Sequence, residues 1–235
     1  MALPPDTAES FVREVDENLR RDQMAARAKR FAGVAIAAVV LFLVAVAAYL
    51  YSQDRQRKQA ETATEQLTLT LQDVGANKMA AAPAQLDALR QADSEGVTAL
   101  AGLSRAALAL QQGNRKLAAA TYAEIAANEE LAKPFRDLAL VRGTALDYDT
   151  IKPDEVIARL QPLAVPGQPF FGSAGEMVGM ALIAKGQKPA AAQLFAKMAA
   201  DPAVPDTLRT RAVQVAGTLG FDASASLPTS STPAE

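Results

Sequence analysis

The sequence predicts an all-α protein, with one N-terminal transmembrane helix followed by an α-solenoid of paired helices. Three observations carry this. The 23 residues between Arg30 and Asp54 hold no charge. Alanine fills 52 of 235 positions and aromatics make up 5%, a balance that suits close-packed helices rather than sheets. Beyond the apolar stretch, helix starts recur at Val97, Pro134 and Phe171, 37 residues apart each time, and again at Thr207. A period within about 20–50 residues marks stacked helix pairs.

Residues 1–30 form a charged tail. Asp6 is a candidate N-cap, with Glu9 three residues on. Phe11, Val12, Val15 and Leu19 share one helical stripe, and charges occupy the opposite face. Phe11, Val15 and Leu19 are therefore candidates for contact with a cytosolic partner. The same stripe also suits a helix lying on the inner leaflet beside Arg27, Lys29 and Arg30.

Residues 31–51 read as the membrane anchor. At about 1.5 Å rise per residue, roughly 20 apolar residues cross a ~30 Å hydrocarbon core. Tyr49 and Tyr51 fall where an interfacial aromatic belt lies. A core helix of a globular protein seldom runs so far without a polar face. Ala45-Val46-Ala47 offers a small-x-small cleavage site. Tail and apolar run are both longer than a cleavable signal needs, so an uncleaved signal anchor is expected. Six Lys and Arg lie in the 20 residues before Phe31, against three in the 20 from Ser52. That bias predicts a cytoplasmic N-terminus and a domain across the membrane. Gly33 and Ala37 make one small-xxx-small pair. Such a pair is common in any alanine-rich helix and leaves a homo-oligomer open.

Residues 52–223 are expected to form the repeat domain. Helix continues over 53–74, with Ala60, Ala63, Leu67, Leu71 and Val74 on one side, and ends at Gly75 and Asn77. Helices are then predicted over 83–91, 97–112, 117–128, 134–146, 153–163, 172–185, 189–199 and 205–219. Pro134, Pro153, Pro189 and Pro205 suit first turns, and Gly113, Gly186 and Gly220 suit ends. Residues 224–235 read SASLPTSSTPAE and are expected to be disordered.

Two units share an interior pattern. Gly113 is followed by Ala118 and Tyr122, and Gly186 by Ala191 and Phe195. Gly-x4-Ala-x3-aromatic is the centre of the tetratricopeptide pattern. The alanine lets the second helix approach the first, and the ring fills space against the next unit. The large aromatic usual near the unit start is replaced by Gly102 and Gly175, and the unit over 134–164 lacks the triple.

Composition narrows the chemistry. The chain has no Cys and no His. Disulfides, the usual zinc sites, the Ser-His-Asp triad and the Cys-His dyad are therefore excluded. A net charge of −2 offers no basic surplus for nucleic acid. The Gly172–Gly175 stretch lacks the Lys-Ser/Thr ending of a phosphate loop. Asp147 with Asp149, and Glu129 with Glu130, are expected as solvated helix-end charges rather than acid/base pairs. Leu100, Leu103, Ala107 and Leu110 are expected in the core. No catalytic, cofactor-binding or metal-binding residue is assigned, and no cofactor is expected. Binding of other proteins remains, on a concave solenoid face that recognises extended or helical segments. An envelope scaffold for cell division or outer-membrane assembly is the alternative.

The tail, from Phe11-Val-Arg-Glu-Val-Asp-Glu17 to Arg20-Arg-Asp22, the single span, and the repeats at Gly113 and Gly186 resemble one known family. This is the YfgM-like family of ancillary subunits of the bacterial SecYEG translocon. The resemblance covers roughly residues 9–220. It implies an inner-membrane protein whose periplasmic domain works beside the translocon exit, with periplasmic chaperones, on emerging polypeptides.

The charge bias yields a first prediction. A periplasm-active reporter fused after Ala223 should be active, and one fused within residues 1–25 should be silent. The reverse pattern would overturn the orientation.

Overall fold

The computed structural model describes residues 5–226, and no strand occurs among them. The chain divides into two units, Met1–Gln59 and Ala60–Glu235. Helix α1 runs Pro5–Gly75. Between its ends it has no proline and a single glycine, Gly33. Pro5 stands in the first turn, where its missing N–H has no partner to lose.

In the first unit α1 carries the described helix that is long and apolar enough to cross a membrane. Its apolar window has a mean hydropathy of 2.1 and is 0% buried. Val34, Phe42 and Tyr51 are exposed at 68%, 67% and 70%. A core helix would bury such side chains, so α1 is a candidate membrane anchor. The described apolar segment begins at Ile36. The side chains of Phe11, Val15 and Leu19 lie outside the described residues.

The second unit opens with the end of α1. Then come α2 (Ala82–Leu89), α3 (Glu95–Gln111), α4 (Arg115–Ala127), α5 (Lys133–Asp147) and α6 (Pro153–Leu160). After them come α7 (Phe171–Ala184), α8 (Lys188–Ala200), α9 (Asp206–Thr218) and a 3-10 turn at Ser224–Ser226. Consecutive helices pack on one another along the chain, and the contact between α5 and α6 is the least extensive of the α3–α9 series. There is accordingly no central core. Leu67, Leu86 and Leu108 join α1, α2 and α3. Ala106, Tyr122 and Ala139 join α3, α4 and α5. Val141, Leu160 and Val178 join α5, α6 and α7. Phe171, Phe195 and Ala212 join α7, α8 and α9. Each layer leans on its neighbours, as in a solenoid.

Helix ends follow from left-handed residues. Gly113 and Gly186 each have φ +75, Gly220 has φ +84 and Asn77 has φ 63. After α3, Gly113 N–H donates to the Leu110 carbonyl at 3.0 Å and Asn114 N–H to Ala109 at 2.8 Å. This double bond is a Schellman motif, which satisfies carbonyls the helix leaves open. It recurs after α7, where Gly186 bonds to Ile183 and Gln187 to Leu182, both at 2.9 Å. It recurs again after α1 and α9.

Three details differ from expectation. Helix α6 stops at Leu160 rather than near 163. Pro162 has no N–H and disfavours helix at the residue before it, so the Leu163 N–H closes a turn on Leu160 at 2.9 Å. On α1, Leu71 is 41% exposed, while Thr70 is buried at 3%. The Thr70 hydroxyl donates to the Gln66 carbonyl at 2.8 Å, which makes its burial tolerable. Past 223, Ser224–Ser226 form an ordered turn; residues 227–235 lie outside the described residues.

Glycines let the helices close up. A Cβ on Gly179 would lie 2.6 Å from the Phe195 ring. At Gly102 it would lie 2.9 Å from Ile125 Cδ1, and at Gly175 2.9 Å from Met198 Sδ. The space that an aromatic at 102 or 175 would take is thus filled from the partner helix.

Gly179→Ala should destabilise the domain by about 1–3 kcal/mol, because the buried ring cannot retreat. Gly217→Ala, on α9 with open space around it, should be neutral or stabilising by up to about 1 kcal/mol. Thermal melts of the two variants check this, and equal effects would refute the packing argument.

Candidate interaction surface

The units around the two glycine ends repeat residue by residue. Gly113 and Gly186 are 73 residues apart, and so are Ala118 and Ala191, and Tyr122 and Phe195. The same offset carries α4, Arg115–Ala127, onto α8, Lys188–Ala200, end to end. It carries the start of α5, Lys133, onto that of α9, Asp206. The helix starts follow the shorter period, but the residue-level repeat is the three-helix block, α3–α5 against α7–α9. Helix α6 stands between the blocks and packs mainly on α7.

Within each block the structure brings the residues of the pattern together. Ala118 and Ala191 are each 0% exposed. Tyr122 and Phe195 are also buried and share clusters with those alanines. Gly113 and Gly186 lie outside the clusters, at the turns.

The α3 stripe is corrected except at Leu103, which packs against the α3–α5 cluster. Leu100 and Leu110 are 46% and 38% exposed, Ala107 is exposed and Leu103 half-buried. The face that packs carries small residues instead: Ala99, Ala101, Gly102, Ala106 and Ala109, with Leu108. Helices this close favour small side chains at the contact, so Leu100 and Leu110 are turned outward. On α7, Met180 stands 73 residues after Ala107 and is 45% exposed.

Charges tie neighbouring helices. Arg105 meets Asp87 at 3.2 Å, Arg90 meets Glu124 at 2.5 Å and Arg211 meets Glu176 at 2.5 Å. Such pairs at a surface are worth at most about 1 kcal/mol each. Asp147 lies 3.8 Å from Arg159; Asp149, Glu129 and Glu130 are exposed. No group of His, Cys, Asp or Glu suited to a metal ion occurs among the described residues.

Two of the depressions on the surface bear on the candidate site. One, of about 500 Å³, is polar and lined by Arg90, Asp93, Glu95, Glu124 and Glu130 among others. The other is a groove of about 340 Å³ between α4 and α5 with a floor of alanines and Gly143. Tyr122 lies beneath it, and burial pushes the phenol above its ordinary value, partly offset by Arg142. Burial and the neighbouring Asp149 raise Tyr148 as well.

Sequence reasoning missed the arginine pair Arg136 and Arg209, which obeys the 73-residue offset. Arg209 Nε donates to the Ala199 carbonyl at 2.9 Å. The signal was present as an arginine preceding Ala139 and Ala212 by three residues.

The sequence pattern of the tetratricopeptide repeat-like domain matches residues 29–215, well over half of the chain. No curated protein and no solved structure matches it.

The buried phenols predict a pH dependence. A raised pKa means that the folded state holds its proton more tightly than the unfolded state does. The stabilisation is whole below the ordinary value of 10.0 and is lost as pH rises beyond it. Tyr122→Phe should therefore flatten the fall in melting temperature above about pH 10. An unchanged alkaline slope would refute it.

Proposed function

From its membership of the tetratricopeptide repeat-like domain family, to which this chain belongs, we propose that the protein is a non-enzymatic, membrane-anchored protein-interaction module. We take its specific role to be that of an ancillary subunit of the Sec translocon, handing emerging chains to periplasmic chaperones. Domains of this family are typically protein-interaction modules. The match extends from residue 29, inside α1, to residue 215 in α9. That extent carries the reading, because the same family pattern takes in both the apolar stretch and the repeats. In this reading residues 1–30 face the cytoplasm, 31–51 span the inner membrane and 52–223 work in the periplasm. The likeness of that order to the YfgM-like proteins supports the translocon as partner.

The outward leucines of α3 and Met180 of α7 supply apolar contact area. The anchor raises the concentration of that area toward membrane-bound partners, so binding needs less affinity of its own. Asp147 and Glu124 pair with arginines and Asp137 with Lys133, which is not the arrangement of a general acid/base couple.

The full-length protein in mild detergent should co-purify with channel subunits or periplasmic chaperones. A fragment lacking residues 1–51 should recover much less, because the tail, the span and the local concentration are lost together. Ala substitutions at Phe11, Val15 and Leu19 should lower recovery if the tail adds a cytosolic contact. Recovery of division or outer-membrane assembly proteins, with no channel subunit, would replace the translocon role by the scaffold role.

A further inference from the structure

The last helix pair is covered by the chain itself. Past α9, Ala223 is buried in the cluster that holds Ala199, Ala212 and Ala216, and the turn at Ser224–Ser226 touches both α8 and α9. Ser224 N–H donates to Asp222 Oδ1 at 2.9 Å, which shapes the turn. Arg209 Nη2 donates to the Ser226 carbonyl at 3.3 Å. A short run, Phe-Asp-Ala-Ser-Ala-Ser, thus lies on a floor of small residues and is held through its backbone by one arginine.

Seventy-three residues earlier the same floor is built and left open. Ala126, Ala139 and Gly143 stand in the places of Ala199, Ala212 and Ala216, and Arg136 in the place of Arg209. After α5 the chain leaves for α6, which ends after two turns. The result is the α4–α5 groove of about 340 Å³. Ala126 and Gly143 are half-buried in it, whereas Ala199 and Ala216 are 0% exposed under their cover. Two buried polar atoms on α5 have no hydrogen-bond partner, Arg136 Nε and Thr144 Oγ1. Thr144 lines the groove. Buried polar atoms are normally paired, so Thr144 Oγ1 marks a place in the groove for a polar neighbour, while Arg136 is not among the residues that line it.

We propose that the α4–α5 groove receives a short segment of a partner polypeptide with alternating alanine- and serine-sized side chains. The segment lies over α4 and α5 as residues 221–226 lie over α8 and α9, with a backbone carbonyl accepting from Arg136. A floor of alanine and glycine lets the backbone of a segment with small side chains approach closely, and backbone bonding sets the register. A second copy of this chain is a poorer occupant, because its matching segment is already used within its own fold. The inference rests on the domain being a protein-interaction module and is independent of the translocon role.

The test uses the full-length protein in detergent and a fluorescein-labelled peptide, Phe-Asp-Ala-Ser-Ala-Ser, followed by fluorescence anisotropy. Saturable binding is expected. Ala123→Phe, which fills the groove from an exposed position on α4, should weaken it at least about tenfold. Arg136→Gln should weaken it several-fold. Ala120→Phe, exposed on α4 outside the groove, should leave it unchanged, which controls for folding. A peptide with both alanines replaced by tryptophan should bind more weakly. No saturable binding, equal loss in Ala120→Phe, or tighter binding of the tryptophan peptide would overturn the proposal. Dimerisation abolished by Ala123→Phe would do so by giving the groove to a second copy. Binding that emerges only when residues 227–235 are removed would do so by giving it to the chain's own tail. Peptide binding without channel co-purification would leave the groove standing and remove the translocon; the converse would do the opposite.

Discussion

Everything in the repeat domain depends on how closely neighbouring helices can approach. Alanine and glycine on the facing sides set that distance. Ala118 and Ala191 are wholly buried, and the Phe195 ring sits where a Cβ on Gly179 would have to be. Long side chains then cross from one helix into the gap left on the other, as Ile125 does over Gly102 and Met198 over Gly175. At this spacing a single added methyl is felt, because the neighbour that must move is itself packed on the next helix. A solenoid passes such strain from layer to layer rather than absorbing it in one core.

The same constraint explains what could be read from the residues alone. Helix ends were legible because they are written in backbone chemistry. Glycine or asparagine takes the left-handed residue after α1, α3, α7 and α9, and proline enters the first turn of α2, α5, α6 and α8. Helix faces were less legible. The usual rule that leucine packs and alanine is indifferent fails when alanine is the packing residue. Leu100, Leu110 and Leu71 therefore fall outside the core, while Ala99, Ala101 and Ala106 fall inside it. Thr70 escaped notice for a related reason: its hydroxyl is satisfied within its own helix, so it packs as an apolar residue would.

The candidate surface was legible in part. Gly113, Ala118 and Tyr122, with Gly186, Ala191 and Phe195, stand out by spacing, and the fold gathers each alanine with its ring. The 37-residue period hid the 73-residue one, since helix starts repeat at the shorter interval while side chains repeat at the longer. Arg136 and Arg209 belong to the longer period. Nothing in their local sequence separates them from ordinary surface arginines until the equivalent helices are laid side by side.

The longer period also gives the middle of the domain its character. If every helix pair repeated the last, each alanine floor would be covered, and the domain would offer only the outward leucines and Met180. Helix α6 breaks that regularity. Asp154 and Glu155 start it after Pro153, and Pro162 ends it early. The chain then reaches α7 through a loop containing Pro166, Gly167 and Pro169. Its contact with α5 is slight and its contact with α7 extensive, so it supports mainly the second block and meets the α4–α5 groove only at its edge, through Arg159. One short helix thus does two things at once: it joins two three-helix blocks, and it leaves the first without the cover that the second supplies for itself. The helices that form this opening are each packed on further layers, α4 on α3 and α5 on α6 and α7. Such pre-formed openings bind with little loss of conformational freedom in the receptor. The ordering cost then falls on the incoming segment, which is kept small by its length.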